Sequence, residues 1–270
     1  DALAYAATFG ETMNSVNDNL PADAVTEGVE THITTLKAVI DAQAAGDQEA
    51  VYQGLREAYH HMDGLAATIA GATVAKFPDD FDSEADSPAS DLRAGLTSLL
   101  QEHVYLAASA TGGALGGRTE QFEAAAAALN GPSNSNTADL SAAVGSVYGE
   151  EVGNAFDGLW RSDDHIPAFV RYTQAVAAGD EAAQQAAVDD ALAYAATFGE
   201  TMNSVNENLP VDAVTAGVET HITTFKAVID AQGGGRATEA ATSLREAAAH
   251  MNNLANAIAE ATVQKFPESF

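Results

Sequence analysis

The chain of 270 residues contains no cysteine, so neither a disulfide nor a thiolate metal site is available to it. It has one tryptophan, Trp160, and aromatic residues are few, which leaves alanine and aliphatic side chains to fill the core. Positive charge is scarce: 11 Lys and Arg stand against 39 Asp and Glu, a formal net charge of −28. No basic patch exists to meet phosphates, which excludes nucleic acid and anionic membrane surfaces as partners. No apolar run is long enough to enter a membrane, and no stretch has the pattern of a signal peptide. The signatures HExxH, GxSxG, GxGxxG after a strand and the phosphate-binding loop are also missing, so the sequence predicts a non-enzymatic protein.

What is present begins with that acidity. In dilute buffer so many like charges repel one another and oppose the compact state. In strong salt the screening length falls to roughly 3 Å at 1 M, and the repulsion is damped. Acid excess with only four lysines (Lys37, Lys76, Lys226, Lys265) is the composition expected of a protein that works in brine. A cation-buffering acidic protein in ordinary salt is the other reading. Alanine richness favours helix.

The sequence repeats itself. The segment "DALAYAATFGETMNSVN" opens the chain and returns at residues 190–206. Aligned without a gap at an offset of 189, about 57 of the 81 positions in 1–81 match 190–270. Residues 91–270 therefore read as one complete module. Residues 1–81 read as the C-terminal part of a preceding module, joined through an acidic linker at 82–90.

A finer repeat lies inside the module. His32, His103, His165 and His221 are each followed fourteen residues later by a glycine: Gly46, Gly117, Gly179 and Gly235. Fourteen residues of helix span about 21 Å, and a glycine after an apolar-periodic segment marks a helix stop. Each unit is then an αα-hairpin bearing a histidine near mid-helix. The spacing predicts helices at 1–17, 22–44, 48–77, 91–115, 119–130, 138–147, 150–162, 166–178, 180–206, 211–232 and 237–266. No strand is expected. "NDNLPADAV" and "NENLPVDAV" read as helix starts capped by Asn or Asp. "WRSDDHIP" predicts a break near Asp163, with His165 opening the next helix. The fold class is all-α, of antiparallel hairpins forming helical bundle modules in tandem.

Four histidines of the complete module, His103, His165, His221 and His250, fall on or beside the apolar stripes of different helices. In the partial copy, His32 and His61 stand in the places of His221 and His250. Facing helices of a bundle can hold a metal or haem with such residues. Glu102, Asp164, Glu219 and Glu246 are near enough in sequence to join or orient them. Met251, and Met62 in the partial copy, adjoin the last histidine, and imidazole with thioether suits copper. The candidate metal ligands are therefore His103, His165, His221, His250 and Met251, with His32, His61 and Met62 in the partial copy. Copper or zinc leads, and haem follows. The opposing reading makes each histidine a core residue bonded to a backbone carbonyl, inherited by duplication. Trp160, Phe156, Phe169 and Tyr172 flank the chain break as pocket lining or as packing. Arg161, beside Asp163 and Asp164, reads equally as a local ion pair or as a binding group.

The stretch "LRAGLTSLLQEHVYLAASATGGALGGRTEQFEAAAAALN", with "DLSAAVGSVYG", "LWR", "HI", "FVRYT" and "HITTFKAVIDAQ" after it, resembles a helical repeat domain of exported or cell-surface proteins of Gram-positive bacteria such as bacilli. The similarity covers most of 91–268 and, in part, 1–78. "WRSDDHIPAF" is longer than the corresponding stretch of that family and carries Pro167. The resemblance implies export and a tandem array. Some members of that family stand beside a domain of copper amine oxidase type. The expected function is a structural or binding repeat at the cell surface, adapted to high salt, with other modules of the same protein or surface components as partners. The alternative is a carrier of copper, zinc or haem.

Overall fold

The computed structural model describes residues 2–81, 84–162 and 164–270. Among these it has eleven helices and no strand. They form two compact units, one of residues 1–98 and one of 99–269, with the division inside the fourth helix.

The first unit holds α1 (Ala2–Val16), α2 (Ala22–Ala45), α3 (Gln48–Lys76) and the start of α4 (Pro88–Leu115). Its core is Ala6, Leu20, Val25, Val29 and Ala72, with Phe9, Met13, Ile33 and Ile69 packed around them. The second unit holds the remainder of α4, then α5 (Thr119–Asn130), α6 (Asn136–Tyr148), α7 (Glu150–Trp160), α8 (Ile166–Ala178), α9 (Glu181–Val205), α10 (Val211–Gly233) and α11 (Ala237–Lys265). Sequential helices pack on one another through α8, α9, α10 and α11. No helix of the described residues is long and apolar enough to cross a membrane.

The glycines fourteen residues after the histidines close the hairpins as the spacing predicts. Gly46, Gly117, Gly179 and Gly235 have φ of 76°, 65°, 68° and 68°, a left-handed backbone that costs glycine little. At Gly179 the amide donates to Val176 O, and the next amide, of Asp180, donates to Ala175 O, each near 3 Å. The other three turns repeat these two bonds. They satisfy carbonyls that a helix end leaves free. Asp47 and Asp180 then cap the returning helices, each accepting a backbone amide at 3.0 Å.

Two expectations are revised. α4 starts at Pro88, inside the expected linker 82–90, because Ser87 caps it through Ser90 N and proline suits a first turn. Asp82 and Ser83 of that linker lie outside the described residues. The "NDNLP" and "NENLP" motifs do not cap the following helix, whose N-cap positions are Pro21 and Pro210 without a side-chain bond. Asn206 instead ends α9 and turns inward. Its Nδ2 donates to Ala261 O and to Tyr148 Oη, both at 2.9 Å, and its Oδ1 accepts Asn208 N at 3.0 Å. Asn17 repeats the arrangement with Ala72 O and Asn19 N. A short-looped turn is thus pinned to the distant end of the third helix of each repeat.

Candidate metal centre

Three hairpins of the second unit each deliver one histidine to a single point. His103 comes from α4, His221 from α10, and His165 from the position just before α8. Pro167 fits there because it occupies the first turn of α8, where no backbone donor is needed. Asp163, where the break is expected, lies outside the described residues. α7 ends at Trp160 and α8 begins at Ile166.

One ring nitrogen from each histidine lies within 4.8 Å of the other two. The rings of His103 and His165 are stacked at 5.5 Å, and those of His103 and His221 are 5.8 Å apart. All three are buried. Aromatic walls close the site. Trp160 meets His165 edge-on at 4.6 Å and His103 at 5.2 Å, and Tyr194 lies flat on His165 at 4.7 Å.

The protonation state follows from burial. An imidazolium here would lose its hydration and face two like charges, so the neutral form is favoured. Burial lowers His165 to about 4 and, with the charges of His165 and His250, lowers His221 to about 3. His103 is held well below 6.5 by burial first, then by His165 and His221, with Asn136 opposing. Neutral imidazole is the form that binds metal.

Hydrogen bonds set which nitrogen is offered. His165 Nδ1 is 2.9 Å from Trp160 O. A carbonyl can only accept, so Nδ1 carries the proton and Nε2 keeps its lone pair. Such a bond from a ligand's second nitrogen fixes ring and tautomer at metal sites. His103 Nδ1 and His221 Nδ1 are buried with no hydrogen-bond partner among the described residues. Trp160 Nε1 and Tyr194 Oη, on the wall of the same site, are likewise without one. A buried imidazole nitrogen without a partner is available to a ligand. Around a tetrahedral zinc the histidine nitrogens sit about 2.0–2.1 Å from the ion.

Glu102 is buried beside the site and accepts Asn136 Nδ2 at 2.7 Å; the same Nδ2 donates to Leu99 O at 2.8 Å. Asn136 Oδ1 is buried with no hydrogen-bond partner among the described residues. Of the other carboxylates considered, Asp164, Glu219 and Glu246 are exposed. Met251 is buried and lines a small cavity of about 20 Å³ together with all three histidines. A larger pocket of about 510 Å³ has His103 and His221 on its wall beside Phe169, Phe225 and Leu129.

Not every candidate belongs here. His250 Nε2 bonds Gly217 O at 2.8 Å, and His61 bonds Gly28 O at the same distance. Both hold adjacent helices together. His32 lies in the first unit with His61 and the half-exposed Met62, and among the described residues no group of three potential metal ligands forms there. Arg161 pairs with Asp157 at 2.9 Å and donates to Asn130 O and Gly131 O, so it ties α7 to the loop after α5 and not to Asp164. Tyr194 and Asn136 were not singled out by spacing; the flat stacking on His165 and the bond to Glu102 emerge only from the packing. Comparison with family models, curated proteins and solved structures finds no match to this chain.

Proposed function

We propose that residues 99–269 form a metal-binding helical module that holds one copper or zinc ion through His103, His165 and His221. The observation that carries this is the convergence of three buried, neutral imidazoles, two of them with an orphaned Nδ1. Three nitrogen donors without thiolate suit copper or zinc. Met251 on the wall favours copper. Three protein ligands leave a coordination position open. The pocket beside His103 and His221 gives a small molecule a route to it. In this reading the protein is a binding repeat of an exported, salt-adapted array, and the ion is its cargo or its recognition element.

The test is metal analysis and titration of protein purified in high salt without chelator or affinity metal. One equivalent of copper(II) or zinc per chain is expected. His103→Ala and His221→Ala should each weaken binding by at least about 100-fold, more than loss of an outer-shell partner does. His250→Ala should bind as the parent chain does. Circular dichroism confirms that each variant keeps its helices. Absence of a stoichiometric ion, or equal loss in the His250 variant, would overturn the assignment.

A further inference from the structure

The two copies of the duplicated segment share an inner packing but differ on one face. Ala6, Leu20, Val25 and Val29 are buried, as are their counterparts Ala195, Leu209, Val214 and Val218. Tyr5 is 60% exposed where Tyr194 is 4%, and Ile40 is 62% exposed where Ile229 is 0%. Met62 is 39% exposed where Met251 is 2%. Leu36, in the place of the buried Phe225, is also open. Tyr5 lies on α1, Leu36 and Ile40 on α2 and Met62 on α3, and none of them belongs to the core of their own unit.

The second unit shows what covers such a face. Tyr194 is stacked on His165, and Phe225 packs edge-on against Phe169 at 5.1 Å, both contacts made by the α8 segment. Gln232 donates to Ala108 O at 2.9 Å and accepts Thr111 Oγ1 at 2.8 Å, both on α4. Asp230 accepts the Tyr172 hydroxyl at 2.6 Å, and Lys226 lies over the Tyr172 ring. The first unit keeps the same recognition groups in register: Tyr5, His32, Lys37, Asp41 and Gln43 match Tyr194, His221, Lys226, Asp230 and Gln232. At the margin, Asp63 accepts Ser98 Oγ at 2.7 Å and is already engaged.

We infer that the surface of α1–α3 bearing these exposed residues is a docking surface for a five-helix block of the type of α4–α8, and that docking completes a second three-histidine site around His32. The incoming block supplies the counterparts of His103 and His165. His32 Nδ1 is buried and without a partner among the described residues, as His221 Nδ1 is in the second unit. Exposed apolar side chains of this kind mark an interaction site, and the duplication identifies the occupant. The docking half stands on packing alone; the second site rests on the metal reading proposed above.

The test extends the chain with a further copy of residues 88–189 placed directly before residue 1, joined as residue 189 joins residue 190. Hydrogen exchange reads docking and metal titration reads the second site. Exchange in residues 2–45 should slow at least tenfold relative to the parent chain. Copper or zinc should rise from one equivalent to two, and return to one with His32→Ala. Ile40→Asp should leave the parent chain's melting unchanged but reverse the slowing in the extended chain. Unchanged exchange in 2–45 overturns the docking. Slowed exchange with one equivalent overturns the second site alone. If neither chain takes metal, the metal reading fails and the exchange data still decide the docking. A concentration-dependent dimer of the parent chain that protects 2–45 would assign the face to a second copy and overturn the proposal.

Discussion

His221 and His250 sit on consecutive helices of one hairpin and have different surroundings. His250 reaches a carbonyl and is satisfied. His221 Nδ1 reaches none and is buried beside two other imidazoles. The difference has a consequence for acid stability. In the unfolded chain all three site histidines titrate near 6.5. In the fold burial lowers His165 to about 4 and His221 to about 3, with His103 also well below 6.5. Between these values the unfolded chain binds more protons than the fold. Stability is therefore full above 6.5 and falls as pH drops through the window. Each titrating histidine adds a slope of about 1.4 kcal/mol per pH unit. Metal-free protein in strong salt should lose melting temperature steadily from pH 7.5 to 5, and His221→Gln should reduce the slope. A melting temperature flat across that range would mean that the imidazoles take up protons without leaving the fold.

At the scale of the element, the hairpin is the unit that repeats, and its turn and its pin are separable. Asn206 satisfies three backbone or side-chain groups with one buried carboxamide. Asn206→Ala leaves those partners without it and should cost about 2–3 kcal/mol, the penalty for buried unsatisfied groups. Asn208, exposed and bonded only through its backbone amide in this motif, should tolerate alanine within about 0.5 kcal/mol. Denaturant titration of the two variants checks the pair; equal losses would show that the turn, not the pin, matters. The helices and glycine turns were legible in the sequence because their signals are local: an apolar period, a glycine fourteen residues on, an aspartate after it. The pin was misread as a cap because Asn before Pro carries the same local signal in either role. The partner that decides between them, Ala261, lies fifty-five residues away.

At the scale of the whole molecule, convergence and charge separate what a sequence can and cannot carry. The fourteen-residue rule named the histidines, yet by itself it favoured packing positions inherited by duplication and scattered by pseudo-symmetry. Which of them meet depends on how three hairpins pack, and His103, His165 and His221 meet while His250 does not. Charge, by contrast, is a sum and needs no fold. A net −28 is opposed by few pairs, such as Lys226 with Asp230 and Arg171 with Asp190. Raising KCl from 0.1 to 2 M shortens the screening length from about 10 Å to under 3 Å. The melting temperature should rise by about 5 °C or more, a gain of roughly 2 kcal/mol for a unit of this size. Indifference to salt would remove the case for adaptation to brine.

The three ligands stand far apart along the chain: 62 residues separate His103 from His165, and 56 separate His165 from His221. An ion held by all three is a covalent-like staple across two long loops. Closing a loop of that length removes unfolded-state entropy worth about 4 kcal/mol in the chain-entropy account of cross-links. In a chain with no cysteine, coordination of the proposed ion would supply the cross-link that sulfur supplies elsewhere. An ion bound as proposed would lock the topology of the module as well as occupy its centre.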